Sequence, residues 1–233
     1  MRPPLAALLL VCCASVAHAG ARECAPADRA PAQLATTDHG VALKVQRCLR
    51  YGDRAGDWQL YLLGSEERHD EEFVLSSRLV AQLFRRLPDG TLAPQWVLRE
   101  HIADGEAGAW FSRKLSEFRD LDGSGNVTPM LVLRFVPWRH AEQPADGANE
   151  DYDAGRLKIV LLQAGVASTV EAITGVLDDE RRTTATATYF ALPEPTRRHV
   201  QQLLHDWNRD QVFLSDDHGG RFVPRQEKKT RKP

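Results

Sequence analysis

Apolar residues along most of this chain recur with a period of two or gather in short runs, the marks of half-buried and fully buried strands. Val41 to Leu49 alternates at Val41, Leu43 and Val45, with Arg47 and Cys48 near its end. Trp58 to Leu63 is a compact run, Trp-Gln-Leu-Tyr-Leu-Leu, between Gly56 and Gly64. Phe73 to Leu87 is longer, and its second half, Leu79 to Leu87, fits either strand or helix. Pro88-Asp89-Gly90 predicts a tight hairpin turn into Thr91 to Arg99, because proline presets the first turn dihedral and glycine accepts a positive one. Lys114 to Phe118 reads as a short strand, and Pro129 to Trp138, with Met-Leu-Val-Leu-Arg-Phe-Val, as a buried central one. Leu157 to Gln163 and Val166 to Leu177 flank a tight turn at Ala164-Gly165. Thr183 to Phe190 alternates Thr and Ala, which suits an exposed strand.

The period changes once. From Pro195 to Arg209, Val200, Leu203, Leu204 and Trp207 fall at i, i+3, i+4 and i+7, a single apolar stripe on a helix. Pro195 suits a first helical position, where a missing N–H costs nothing. Two stretches carry no pattern: His101 to Trp110, and His140 to Gly155 with Asp146, Glu150, Asp151 and Asp153. The second reads as a solvated loop. Together these elements predict one mainly β (α+β) domain over residues 20–220. Antiparallel curved sheets or an open barrel would carry the C-terminal helix packed on them.

The N-terminus reads as an address. Met1-Arg2 is followed by an apolar run from Leu5 to Val16 and by Ala17-His18-Ala19, the layout of a signal peptide cleaved after Ala19. Twelve helical residues reach ~18 Å, short of the ~30 Å of a bilayer core. No later segment has 18 consecutive apolar residues, so no transmembrane span is expected in the mature chain. Loss of residues 1–19 leaves two of the four cysteines, Cys24 and Cys48. In a periplasmic or secreted protein two remaining thiols tend to pair. That bridge would pin the Pro- and Ala-rich leader, Ala25 to Ala35, onto the first strand.

The chain has 233 residues, 42% of them hydrophobic and 27% charged, with a net charge of −2. A disordered, collagen-like or multi-span membrane chain is thereby excluded. Charge is uneven: residues 20–220 carry 23 basic and 31 acidic side chains, and residues 221–233 carry six basic and one acidic. The basic tail reads as disordered. It is a solvated end or an attachment to an anionic envelope component such as lipid, lipopolysaccharide or acidic glycan. An exported protein with an acidic body is no partner for nucleic acid.

One motif carries candidate chemistry. In Asp120-Leu121-Asp122-Gly123-Ser124-Gly125-Asn126-Val127-Thr128, short oxygen-bearing side chains fall at alternate positions. Gly125 permits a sharp turn that brings the Asn126 carbonyl back, which is how oxygen wraps a hard cation such as calcium. Asp120, Asp122, Ser124 and Asn126 would be the ligands. The other reading is a turn whose Asp and Asn side chains bond their own backbone. An EF-hand would need a glutamate where Leu131 stands. H-E-x-x-H, G-x-S-x-G and Walker-type motifs are absent. The seven histidines outside the signal are scattered, and no catalytic residue is assigned. Trp110 in the irregular stretch and Trp138, followed by Arg139 and His140, are the candidates for stacking on a sugar ring.

Several features occur in a telling order. Trp96 and the acidic stretch near Asp104 precede Phe118-Arg119-Asp120-Leu121-Asp122-Gly123, then Met130 to Phe135, Leu157-Lys158-Ile159-Val160, and a closing helix with Leu204 and Trp207. This order resembles small exported bacterial proteins labelled surface polysaccharide biosynthesis proteins. Their acidic turn is similar to that of FG-GAP and VCBS repeats. The resemblance runs roughly from Asp38 to Arg209. Ser124 and Thr128 stand where that turn usually carries acids. It implies a role in the cell envelope and assigns no catalytic residues. The expectation is an exported non-catalytic protein that binds glycan or assists surface polysaccharide assembly. The alternatives are a calcium-stabilised binding module and a carbohydrate-active enzyme, which would need two facing carboxylates in a cleft.

Overall fold

The computed structural model describes residues 20–26, 28, 30–69, 74–137, 155–163, 165–174, 181–210, 212, 213, 215, 216, 223 and 224. Residues 1–19, where the signal peptide is expected, Trp138, most of the His140 to Gly155 stretch and nearly all of the basic tail lie outside them. The first sheet has the order β1 (Arg22–Glu23), β4 (Lys44–Asp53), β5 (Gly56–Gly64), β8 (Arg78–Arg86), β9 (Leu92–His101). Two small ribbons attend it, β2 (Thr37–Asp38) with β3 (Val41–Ala42), and β6 (Arg68–His69) with β7 (Val74–Leu75). The second sheet runs β10 (Glu106–Phe111), β12 (Thr128–Pro137), β13 (Arg156–Gln163), β14 (Val166–Ile173), β15 (Arg182–Ala185), β16 (Val223–Pro224). β11 (Glu117–Arg119) also pairs with β12. Helices α1 (Ala187–Phe190) and α2 (Glu194–Arg209) follow β15. Among the described residues every strand pair is antiparallel except β15–β16, and neither sheet closes into a barrel.

Alternation along the strands sorts the side chains into three cores. Leu60 and Leu62 of β5 and Leu79, Ala81 and Leu83 of β8 face Leu131, Leu133 and Phe135 of β12 and Val160 and Leu162 of β13. This is the space between the sheets. Tyr61, Leu63, Val80 and Phe84 point the other way, under Leu34 and Ala35 of the leader and under Leu43. Met130, Val132, Leu157, Ile159 and Leu161 point outward from the second sheet onto Tyr189, Val200, Leu204 and Trp207. The central strands of each sheet are therefore covered on both faces. That is why they read as near-continuous apolar runs rather than alternating ones.

The same burial decides the ambiguous segment. Leu79 to Arg86 is strand, since β8 lies between β5 and β9 with both faces buried. A corner stitches the sheets together, where Ser76 and Ala109 exchange both backbone hydrogen bonds at 2.9 Å. A Cβ on Gly108 would stand 2.7 Å from Leu75 Cβ, so only glycine allows this approach.

Four local expectations change. Glu106–Phe111 of the irregular stretch is strand β10, and Trp110 sits in it, half-buried and opposite Arg134. The strand expected at Lys114 to Phe118 begins only at Glu117. Residues 112–116 bulge instead, and the Ser116 hydroxyl accepts the Val132 N–H in place of a ladder bond. Val166 to Leu177 pairs only as far as Ile173, and residues 175–180 lie outside the described ones. Thr183 to Phe190 is strand only to Ala185, and Thr183 and Thr184 are buried rather than exposed. There β15 is flanked by β14 on one edge and β16 on the other.

Cys24 and Cys48 are bonded, with their Cα atoms 5.3 Å apart. No helix among the described residues is long and apolar enough to cross a membrane.

Candidate functional site

The acidic turn connects β11 to β12 at one end of the sandwich. Leu121 packs on the helix-side core and Val127 enters the inter-sheet core, so the turn is anchored on both faces of the second sheet. Its oxygens are engaged by its own backbone. Asp120 Oδ2 accepts from Gly125 N at 2.8 Å, Asp122 Oδ1 from Ser124 N at 3.0 Å, and Ser124 Oγ from Asn126 N at 3.2 Å. Gln163 Nε2 donates to the second Asp122 oxygen at 2.5 Å. Burial would raise the Asp122 carboxyl, but the Ser124 hydroxyl and N–H and the neighbouring Asp120 outweigh it and hold the group below the usual aspartate range. Asn126 Oδ1 is buried without a hydrogen-bond partner.

The β4–β5 hairpin of the other sheet caps the turn. Arg54 N donates to Gly125 O at 3.1 Å and Arg54 Nη1 to Ser124 O at 3.0 Å. Asp53 is the hub: one carboxylate oxygen accepts Ala55 N, Gly56 N and Trp58 Nε1, and the other accepts Val127 N. The four residues proposed as ligands are thus drawn together, with a guanidinium bonded to a carbonyl of the same turn. Two carboxylates, a hydroxyl and an amide beside a fixed cation are a weak donor set for calcium, which favours six to eight oxygens and several charges. No group of three or more His, Cys, Asp or Glu side chains is placed to hold a metal ion among the described residues.

Asp53 and Arg54 were not singled out by pattern, although Asp53-Arg54-Ala55-Gly56 has the composition of a hairpin turn. Asp53→Ala should cost about 2 kcal/mol, since four donors lose a charged acceptor. A lower urea midpoint and altered Trp58 emission would report it. An unchanged midpoint would mean that water replaces the carboxylate at no cost.

A second polar cluster was not anticipated. At the other end of β13, Lys158 Nζ lies 2.6 Å from Glu100 and 3.9 Å from Glu171. Arg156 makes a two-pronged pair with Glu106 at 2.9 and 3.0 Å, contacts Glu171 at 3.4 Å, and stacks 3.6 Å from the centre of the Phe135 ring. The signal was a lysine embedded in the apolar run Leu-Lys-Ile-Val. Its partner Glu100 comes from β9 of the opposite sheet, which no local pattern reveals. These three glutamates face cations rather than one another across a cleft.

At the helix, His199 of α2 pairs with Glu117 of β11, and Arg119 lies 3.5 Å from the same carboxylate. Burial pushes the Glu117 carboxyl up, but His199 and Arg119 outweigh it and hold it below the ordinary 4.5. A lowered folded-state pKa stabilises above the unfolded value and is lost as pH falls through the folded one. Unfolding free energy should therefore fall as pH drops below 4.5, and Glu117→Gln should flatten that slope in urea titrations at several pH values. An identical slope in the variant would remove Glu117 from the acid response.

Comparison with protein-family models, curated proteins and solved structures finds no match to this chain.

Proposed function

We propose that this is an exported, non-catalytic protein of a bacterial cell envelope, in the periplasm or outside the cell, that binds glycan or assists assembly of surface polysaccharide. The Cys24–Cys48 bond is the observation that carries the export part, because such bonds persist in oxidising compartments. It agrees with an N-terminal segment patterned as a signal peptide. The glycan part rests on the resemblance of the ordered motifs to exported surface polysaccharide proteins. Expression of the full chain in a Gram-negative host should yield a periplasmic or secreted product beginning at Gly20. A soluble cytosolic product retaining residues 1–19 would overturn the export assignment. Absence of binding to purified surface polysaccharide in calorimetry would remove the glycan.

A second reading makes the domain a calcium-stabilised binding module using Asp120, Asp122, Ser124 and Asn126. The unpartnered, buried Asn126 Oδ1 favours it. Calcium at 100 times its dissociation constant would add about 2.7 kcal/mol to stability. The melting temperature would then be higher in millimolar calcium than in chelator, and coincident melts discard the reading.

A further inference from the structure

We infer that the Cys24–Cys48 bond closes a strap, residues 24–43, over the outer face of the first sheet, so that this face seals only after oxidation. The strap lies on Tyr61, Leu63, Val80 and Phe84 through Leu34, Ala35 and Leu43. Its other attachments are few and polar. Asp28 takes Arg86 Nη2 at 2.7 Å and lies 3.7 Å from Arg50. Ala35 N donates to Gln82 Oε1 at 2.9 Å, and Gln82 Nε2 donates to Gln33 O at 3.1 Å. Asp38 pairs with Arg99 at 3.3 Å and Arg78 at 3.9 Å. Before Cys24 the hold is three residues long: the two-residue β1 on β4, Glu23 paired with Arg47 at 2.6 Å, and the partly buried Ala21 against the inter-sheet core. A chain end tied so briefly frays unless fastened.

The bond is also joined to the strap's ion pair. Gln59, fully buried, donates through Nε2 to Cys48 Sγ at 3.4 Å and accepts Arg86 Nη2 on Oε1 at 2.7 Å. The same Arg86 nitrogen reaches Asp28. The disulfide, Gln59, Arg86 and Asp28 thus form one continuous contact path under the strap. The inter-sheet core and the helix-side core contain no residue of the strap. Opening should stay local, as a unit with its own lower stability.

The chemistry is thiol–disulfide exchange. The two thiols of Cys24 and Cys48 give up two electrons and two protons to an external disulfide, which leaves as two thiols. In a reducing compartment the outer face stays open, and after export it closes. This setting rests on the export reading, but the test below uses purified protein, so its failure leaves that reading untouched.

Hydrogen exchange read by mass spectrometry on the purified mature chain, oxidised and then reduced with a phosphine, should show the change. The expected result is about tenfold or faster exchange at Ala35 and Leu43 on reduction, with β12, β13 and α2 unchanged. The double variant Cys24→Ala/Cys48→Ala should behave as the reduced chain. Unchanged strap protection overturns the inference, and so does loss of protection throughout the domain. In Asp28→Asn the bond remains, and the strap should stay protected. If that variant frees the strap as fully as reduction does, the ion pair and not the disulfide closes it, and the inference falls.

Discussion

Lys158→Met should lower the free energy of unfolding by about 3–5 kcal/mol, the cost of removing one partner from a buried charge cluster. Lys158 and its partners Glu100 and Glu171 retain only 11–15% of their side-chain exposure. Methionine fills the lysine volume, so packing is largely kept and the loss is electrostatic. Glu100 would lose its 2.6 Å contact and keep its charge in a half-dry setting. Glu171 still has Arg156 at 3.4 Å, so most of the cost falls on Glu100. Pairing Lys158→Met with Glu100→Leu should recover much of the loss, because the orphaned charge goes too. Urea midpoints of the two single variants and the double variant form the measurement. A Lys158→Met midpoint equal to wild type would show that water enters this end of the sandwich and screens the cluster.

Phe135→Ala should cost about 3–5 kcal/mol by leaving a cavity in the inter-sheet core. Phe135 is 1% exposed. Its ring also supports the Arg156 guanidinium, so the variant weakens the two-pronged pair with Glu106. At the same edge, a Cβ on Gly155 would lie 2.2 Å from the Phe135 carbonyl oxygen, and its φ is +98°. Backbone and ring therefore set the entry of β13 jointly. The half-buried Phe118 packs on the rim of the same core and should lose less than half as much on truncation to alanine. Equal losses at 135 and 118 would refute the burial ranking.

The two variants probe opposite sides of what pattern reading reaches. The apolar run from Met130 to Val136 was visible as a buried strand, and that strand forms. Lys158 was visible only as a charge inside an apolar run. The carboxylates of its cluster come from β9, β10 and β14. Ion pairs between strands distant in sequence leave no periodic trace, since each partner looks like an ordinary surface charge. The acidic turn was legible as a local motif, with the bonding of its side chains to their own backbone as one of its two readings. Its cap of Asp53 and Arg54 was not, because a hairpin some 70 residues away supplies it. Trp110 was misplaced for a related reason. The Gly- and Ala-rich segment around it has weak strand propensity, and pairing with β12 overrides that.

By itself the sequence determined the class of the fold and the amphipathic helix, and it offered Cys24 and Cys48 as a pair. Each depends on residues that are neighbours in the chain or on a count, and such information survives without coordinates. Only the tertiary structure decided which strands share a sheet, which face each charge meets, and that the leader covers the outer face of the first sheet. Those outcomes follow from burial shared between distant segments, where the free energy belongs to the contact and to neither segment alone.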